Sequence, residues 1–321
     1  MQWVVYGAGA VGGVLGARLY DAGLEVVLVA RGEHLRAIRE HGLTLASPDG
    51  TSRHDVKAAA GASEIDWGRP SVVLLAVKSQ QSQAALSDLS ATAPPSVPLV
   101  CVQNGVGNEL LALRFFADVQ GVCVMMPTAH IDPGVVEAHC APVPGILDTG
   151  AFPDGVDDTT HTVVQAFRGA GFESEPRPDI MAWKHRKLIM NLGNAVQACC
   201  ESGPGSDELR ARVQQEGERV LSSAGLPVVT ADQDSARRGD ILRRGGVTGR
   251  PRSGGSSWQS LHRATGSIES EYLNGEIVLL ARLHGLSAPA NELLQRTAVR
   301  MAREGAAPGS VDAQDLLDQL S

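Results

Sequence analysis

Near its start the chain carries the sequence Trp3-Val4-Val5-Tyr6-Gly7-Ala8-Gly9-Ala10-Val11-Gly12. Four apolar residues predict a short buried strand, and a helical stretch begins within the glycine pattern Gly-x-Gly-x-x-Gly that follows. In this context the first glycine makes a tight turn, the second lets a pyrophosphate approach the backbone, and the third lets helix and strand pack closely. The N-terminus of the helix attracts the phosphates. The stretch from Gly7 to Gly12 therefore predicts a dinucleotide-binding loop.

The first half of the chain alternates short apolar runs with helical stretches. Strands are predicted over 3–6, 25–29, 71–77, 98–102 and 121–126, and helices over 11–22 and 80–89. This order is typical of βαβ units on a parallel sheet. Pro48-Asp49-Gly50 predicts a turn between two antiparallel strands, Leu43–Ser47 and Ser52–Lys57. The pattern therefore predicts an α/β fold with a Rossmann-type N-terminal domain.

The sequence pattern changes after Pro176 and Pro178, because beyond these residues the apolar residues recur at helical spacing. We place the domain boundary there, with a dinucleotide-binding Rossmann domain over residues 1–177 and an all-α domain over residues 178–321. Helices are predicted around 180–200, 206–224 and 267–284. The glycine-rich, basic segment 243–255 has no periodicity and predicts a mobile loop.

Composition excludes several classes of protein. The 321 residues have a net charge of −8, which leaves no general basic field for nucleic acid or an anionic membrane. Apolar runs are far shorter than the roughly 20 residues that cross a bilayer, and no basic leader precedes the first strand, so we expect a cytoplasmic protein. Five cysteines form no CxxC pair and indicate reduced thiols, with neither a disulfide framework nor a metal site.

Arg31 stands directly after the second predicted strand, 19 residues beyond Gly12. An acidic residue about 20 positions on would hold the ribose 2′-hydroxyl of NAD. A guanidinium instead suits the 2′-phosphate of NADP, because it forms charge-assisted hydrogen bonds to phosphate. The sequence therefore favours NADP, and the nearby Glu33 keeps NAD open as the alternative.

Polar residues also follow two other strands and line one later helix. Lys78 follows the strand over 71–77 and Asn104 the strand over 98–102, at sheet ends where ligands bind in doubly wound folds. In the second region, steps of +4 and +7 from Lys187 bring Asn191 and Asn194 within roughly 60° of one another on a helix. These three residues predict a polar stripe, and a solvated surface is the alternative interpretation of the same pattern.

Taken in order, these motifs resemble the ketopantoate reductase family, the 2-dehydropantoate 2-reductases, over nearly the whole chain. The matching segments are Gly7–Gly12, Arg31, Lys78, Gln103–Gly107, Trp183 with Lys187–Asn191, Glu269–Gly275, His284–Leu286 and Pro289–Asn291. Motifs that recur in the right order are far more specific than any single one.

The resemblance implies that NADPH supplies hydride to the ketone of a small 2-keto acid and that a lysine donates the proton. The family's site residues match these positions: Lys187 as the proton donor, Glu269 as the glutamate that helps hold substrate or cofactor, Asn104 at cofactor and substrate, Asn191 at substrate, and Ser256 or Ser257 as the substrate serine. A homodimer stays open.

Two departures from the family's pattern bear on the substrate. The second asparagine of the helix usually follows the first by four residues, whereas Asn194 follows Asn191 by three, a rotation of about 100°. The segment from Ser256 to Ser260 also lacks the family's usual aspartate after its glutamine. Two other functions remain as alternatives: a hydroxyacid or opine-type dehydrogenase, and a non-catalytic NADP-sensing protein.

Overall fold

Residues 1–248 and 254–320 are described by the computed structural model of this protein. Within them the strands are β1 (Gln2–Tyr6), β2 (Glu25–Val29), β3 (Leu43–Ser47), β4 (Gly50–His54), β5 (Lys57–Ala59), β6 (Ser71–Leu75), β7 (Leu99–Cys101), β8 (Val119–Met125), β9 (Thr128–Ala129), β10 (Val135–Ala138) and β11 (Ile146–Ala151). The helices are α1 (Ala10–Asp21), α2 (Gly32–His41), α3 (Ser82–Ser90), α4 (Asn108–Ala112), α5 (Asp158–Gly169), α6 (Ile180–Cys199), α7 (Pro204–Ser223), α8 (Ala231–Arg238), α9 (Ser256–His262), α10 (Asn274–Leu283), α11 (Pro289–Glu304) and α12 (Ala313–Asp318).

Seven strands form one sheet in the order β11-β8-β7-β6-β1-β2-β5, and every neighbouring pair is parallel except β11 with β8. The central strand β1 is buried on both faces, because Trp3 and Val5 pack into one apolar cluster and Val4 and Tyr6 into another. Burial on both faces explains why its sequence is a continuous apolar run. The predicted α/β fold with a Rossmann-type parallel sheet and a helical C-terminal region is confirmed.

The strand predicted over Ser52–Lys57 is wrong in its extent. β4 ends at His54, and the chain resumes at Lys57 as β5 in the other sheet, parallel to β2. The hairpin around Pro48-Asp49-Gly50 is confirmed, since β3 and β4 pair antiparallel from Leu43 with His54 to Ser47 with Gly50. This hairpin lies in a second sheet of order β4-β3-β10-β9, and neither β9 nor β10 was predicted.

The described residues form two compact units. One contains 1–103, 108–181 and 235–248, and the other contains 104–107, 182–234 and 254–320. The domain boundary between residues 177 and 178 stays a prediction. Among the described residues, no helix is long and apolar enough to cross a membrane.

Part of the segment predicted to be a mobile loop is held by backbone pairing in the first unit. Gly245 donates its N–H to the carbonyl of His139 at 3.0 Å, and Ala141 donates to the carbonyl of Arg243 at 3.2 Å. Cys140 and Arg244 thereby form an antiparallel bridge. Residues 249–253 of the same segment lie outside the described residues.

In the second unit, amide side chains join four helices. Asn274 of α10 donates to the carbonyl of Leu192 on α6 at 3.2 Å and to Oδ1 of Asn291 on α11 at 3.0 Å. The amide of Asn291 donates to the carbonyl of Val213 on α7 at 3.0 Å. The Glu216 carboxylate of α7 accepts from the first backbone N–H groups of α11, Ala290 and Asn291, both at 3.0 Å. These polar groups are buried or half-buried, and burying them without a partner would be costly. The hydrogen bonds between them therefore stabilise the packing of the four helices.

Candidate active site

The glycine loop over Gly7–Gly12 has the geometry that its three glycines predict. Gly7 has φ of +110°, and a Cβ there would lie 2.8 Å from the backbone nitrogen of Val77. A Cβ on Gly12 would lie 2.1 Å from the carbonyl oxygen of Gly7, so α1 packs against the loop at a distance that only glycine permits. A Cβ on Gly9 would have no atom within 4 Å. The loop is therefore fixed at both ends and open in the middle.

The loop is attached to the end of β2 by one carbonyl group. The oxygen of Val29 accepts from the backbone nitrogens of Gly7 at 3.1 Å and Ala8 at 3.0 Å. Helix α1 then begins at Ala10 with Gly9 as N-cap and no acidic residue in its first turn. An unscreened helix N-terminus with open space beside it can receive an anion such as a pyrophosphate.

Arg31 is held at the end of β2 by a partner that the sequence did not indicate. Its Nη2 donates to the Tyr6 hydroxyl at 3.4 Å, and that hydroxyl donates to Oδ2 of Asp88 at 2.5 Å. Burial and the bond to Asp88 raise the pKa of Tyr6 to about 12. The Arg31 side chain is otherwise exposed at the edge of the sheet where β1 and β2 end side by side. An exposed guanidinium with a fixed anchor can bind a phosphate.

Glu33, on which the alternative of NAD depends, is engaged elsewhere. Its carboxylate forms an exposed ion pair with Arg36, three residues later on α2. The pairing lowers the availability of this carboxylate as a ribose ligand, although an exposed pair of this kind is weak.

Lys78 is half-buried at the start of a 3-10 turn over Ser79–Gln81, three residues beyond the end of β6. Buried polar side chains in the same unit shape this turn. Gln103 donates to the carbonyl of Val77 at 2.7 Å and to the Ser82 hydroxyl at 2.8 Å, which in turn donates to Oδ1 of Asn108 at 2.8 Å. This network ties the turn after β6 to the residue that precedes Asn104 in sequence.

The second unit brings Asn104 and Asn191 together. Nδ2 of Asn191, on α6, donates to Oδ1 of Asn104 at 3.2 Å. Lys187 lies one turn earlier on the same helix, is half-buried, and occupies the i, i+4 position that faces the same side as Asn191. Three residues that the family resemblance implies at the site therefore share one part of this unit.

Asn194 lies beside the start of α9. Its Oδ1 would be 3.9 Å from a Cβ on Gly255, the N-cap of that helix, and Oε1 of Gln197 accepts from the Gly255 nitrogen at 3.1 Å. Ser256 and Ser257 occupy the first turn of α9. Ser257 is only 2% exposed, and its hydroxyl has no hydrogen-bond partner among the described residues. A buried hydroxyl without a partner is available to form a hydrogen bond with a ligand.

Glu269 is buried in a 3-10 turn, Glu269–Tyr272, just before α10. The sequence assigns no role to Glu276, which lies in the first turn of α10. Its Oε2 would be 3.7 Å from a Cβ on Gly107, in the segment that also holds Asn104. Burial raises the pKa of the Glu276 carboxyl. Only the structure indicates this residue, because nothing in its sequence position does.

Residues 3–153 match the model of the ketopantoate reductase family PanE/ApbA, and residues 179–301 match the model of that family's C-terminal part. The chain belongs to the ketopantoate reductase family. This is a family of oxidoreductases that act on a CH–OH group and use a nicotinamide dinucleotide. The predicted family is thereby confirmed.

Individual relatives agree with this assignment. A 2-dehydropantoate 2-reductase of Halobacterium salinarum is 30% identical over 317 residues, which cover 95% of this chain and 100% of that protein. The crystal structure of a PanE/ApbA family ketopantoate reductase from Ralstonia eutropha has a TM-score of 0.80 at 27% identity, covering 95% of this chain and 99% of that one. A ternary structure of D-mandelate dehydrogenase with NADH and anilino(oxo)acetate has a TM-score of 0.78 at 18% identity, over 95% and 99% of the two chains, and shares the fold.

The contrast between Gly9 and Gly12 yields a prediction about stability. Gly12→Ala should lower the free energy of unfolding by about 2–3 kcal/mol, because the added Cβ forces α1 away from the loop. Gly9→Ala should change it by less than about 0.5 kcal/mol, since its Cβ meets open space. Urea denaturation of the two variants measures this difference. Equal losses would mean that the loop is not packed as the structure has it.

Proposed function

We propose that this chain is an NADPH-dependent reductase that converts the ketone of ketopantoate, or of a related 2-keto acid, to a hydroxyl group, with Lys187 as the proton donor. Membership of the ketopantoate reductase family supports the reaction class. The observation that carries the proposal is the hydrogen bond between Asn104 and Asn191, one helical turn from Lys187. It joins residues separated by 87 positions, each matched to the family's site.

The first unit supports the choice of cofactor. The glycine loop leaves room at Gly9 for a pyrophosphate, and the N-terminus of α1 carries no carboxylate that would repel it. Arg31 presents an exposed guanidinium for the 2′-phosphate, while Glu33 is paired with Arg36. These features fit NADPH better than NADH, because a guanidinium gains a charge-assisted bond only from the phosphorylated ribose.

When bound, NADPH supplies the hydride. Negative charge then grows on the former carbonyl oxygen of the substrate, and a lysine ammonium at this oxygen both stabilises the charge and delivers the proton. The hydrogen bond from Asn191 to Asn104 orients both side-chain amides, so that their remaining donors and acceptors have fixed directions. The buried hydroxyl of Ser257 has hydrogen-bonding capacity to offer a polar group of the substrate.

The alternatives have less support. Hydroxyacid and opine dehydrogenases tend to use a histidine with a carboxylate, whereas the matched helix presents a lysine with asparagines. A non-catalytic NADP-sensing protein would not need Lys187 or Glu269, and both residues are present.

A substrate panel tests the proposal. We expect NADPH consumption, followed by absorbance at 340 nm, to be fastest with ketopantoate and at least about tenfold slower with pyruvate, because only ketopantoate has the branch and hydroxyl that Asn191 and Ser257 would bind. An aromatic 2-keto acid completes the panel. A higher rate with another keto acid would support the reaction class and contradict ketopantoate as the substrate. Asn194, which follows Asn191 by three residues instead of the family's four, would then be the first residue to examine.

Arg31 should set the preference between the two nicotinamide cofactors. Arg31→Ala should raise the Kd for NADPH about 10- to 100-fold and leave the Kd for NADH nearly unchanged, because only NADPH carries the phosphate. Fluorescence titration of the reduced nicotinamide gives both values. Arg39→Ala, which removes an exposed arginine of α2, the helix that follows Arg31, is the control and should alter neither. Equal losses for both cofactors would contradict the assignment of Arg31.

Lys187 should contribute in the transition state rather than in cofactor binding. Lys187→Ala should lower kcat about 10²- to 10⁴-fold with little effect on the Kd for NADPH, as expected for loss of a general acid. Steady-state kinetics with ketopantoate measures the change, and Lys57→Ala, an exposed lysine on β5, is the control. A near-normal kcat would mean that Lys187 has only a structural role.

A further inference from the structure

His34 makes a contact with the glycine loop that the cofactor residues named above do not include. It lies in the first turn of α2, three residues after Arg31. One ring nitrogen, Nε2, lies 2.6 Å from the carbonyl oxygen of Ala8, the second residue of the loop. The other, Nδ1, lies 2.8 Å from the backbone nitrogen of Gly134, just before β10. The half-buried ring also packs against His130, with ring centroids 4.2 Å apart.

These two contacts fix the tautomer of His34. The Gly134 nitrogen is a donor, so Nδ1 must accept and carries no proton. A carbonyl oxygen can only accept, so Nε2 must carry the proton and donate it to Ala8. The ring is thus a neutral imidazole with both nitrogens used in opposite roles, and it joins the glycine loop to the backbone before β10.

The bond to Ala8 determines which way the next peptide group points. The Ala8 carbonyl and the Gly9 N–H belong to one planar trans peptide, in which C=O and N–H point in opposite directions. Drawing the carbonyl towards α2 therefore turns the Gly9 N–H away from α2. Gly9, which follows this peptide, would otherwise allow it to rotate, because glycine populates conformations on both sides of φ = 0.

We infer that His34 is a positioning residue for the cofactor, which aims the Gly9 N–H at the pyrophosphate by holding the Ala8 carbonyl. The inference rests on the proposed binding of a nicotinamide dinucleotide to the glycine loop, and it deepens that proposal. His34 differs from Arg31 in what it affects. NADPH and NADH share the pyrophosphate, so His34 supports both cofactors equally, whereas Arg31 supports only the phosphorylated one.

Three substitutions at this position separate the hydrogen bond from the space that the ring fills. His34→Gln keeps an N–H donor and an acceptor at similar reach, and His34→Met has similar length with no donor. His34→Ala removes both. His41→Ala, an exposed histidine on the same helix, is the matched control. Fluorescence titration of the full-length chain with NADPH and with NADH gives the Kd values, and thermal unfolding without cofactor reports the fold.

We expect His34→Met and His34→Ala to raise the Kd for both cofactors by the same factor, about tenfold, while kcat at saturating NADPH and ketopantoate changes less than twofold. His34→Gln should stay within about threefold of wild type, and His41→Ala should not differ from it. A role limited to filling space would instead make His34→Met bind both cofactors as well as wild type, because Met refills that space.

The outcomes that overturn this inference differ from those that overturn the proposed function. Should wild-type protein bind neither NADPH nor NADH, the proposed function fails. When wild type binds but His34→Met binds equally well, only the role of His34 fails. A loss of affinity confined to NADPH also overturns the inference, because the substitution would then act by displacing Arg31, three residues before His34. If His34→Ala does not fold, the comparison of Gln with Met decides alone.

Discussion

The carbonyl oxygen of Val29 fixes the carboxyl ends of β1 and β2, where the candidate cofactor-binding residues of the first unit lie. It accepts two hydrogen bonds from consecutive residues of the glycine loop, Gly7 and Ala8. Because β1 and β2 are parallel neighbours in register, this carbonyl fixes the loop where both strands end. The N-terminus of α1 and the backbone of Arg31 then lie at the ends of these two strands through backbone hydrogen bonds, and Tyr6 orients the guanidinium. The position of the site therefore depends first on the backbone pairing of β1 and β2, which their apolar residues stabilise.

The second unit rests on side-chain amides rather than on a sheet. Asn274 and Asn291 each use their amide groups to join helices that have no backbone pairing with one another, and the carboxylate of Glu216 takes the place of an N-cap side chain at α11. Both asparagines belong to motifs that carry the family resemblance. The structure gives them a scaffolding role, which shows that a family motif can mark a constraint on packing as well as a contact with substrate.

The sequence was sufficient for the strands buried on both faces and insufficient for the short ones. β1, β2 and β6 have five residues each, of which the last four form a continuous apolar run. By contrast, β9 has two residues, which is too short for periodicity to show. The sequence pattern merges β5 with β4, because only tertiary pairing separates the two strands. A sequence pattern contains no information about which sheet a three-residue strand will join.

The same limit applies to the candidate site. The spacing of glycines and of Arg31 could be recognised because the mechanism of phosphate binding dictates it locally. Tyr6 and Asp88 could not be recognised as the anchor of Arg31, because 82 positions separate them and each has an ordinary environment in the sequence. The contact between Asn104 and Asn191 was implied only through the resemblance, since spacing alone says nothing about a pair 87 residues apart.

The hydroxyl of Tyr6 stands between a cation and an anion. With its pKa raised to about 12, the phenol stays protonated at physiological pH. It therefore donates a hydrogen bond to Asp88 and accepts one from Arg31. Had Asp88 met the guanidinium directly, the two charges would have largely cancelled. The phenol works as a spacer that transmits orientation without transmitting charge. Arg31 is therefore oriented by a long hydrogen bond to a neutral group and keeps its positive charge for an incoming anion.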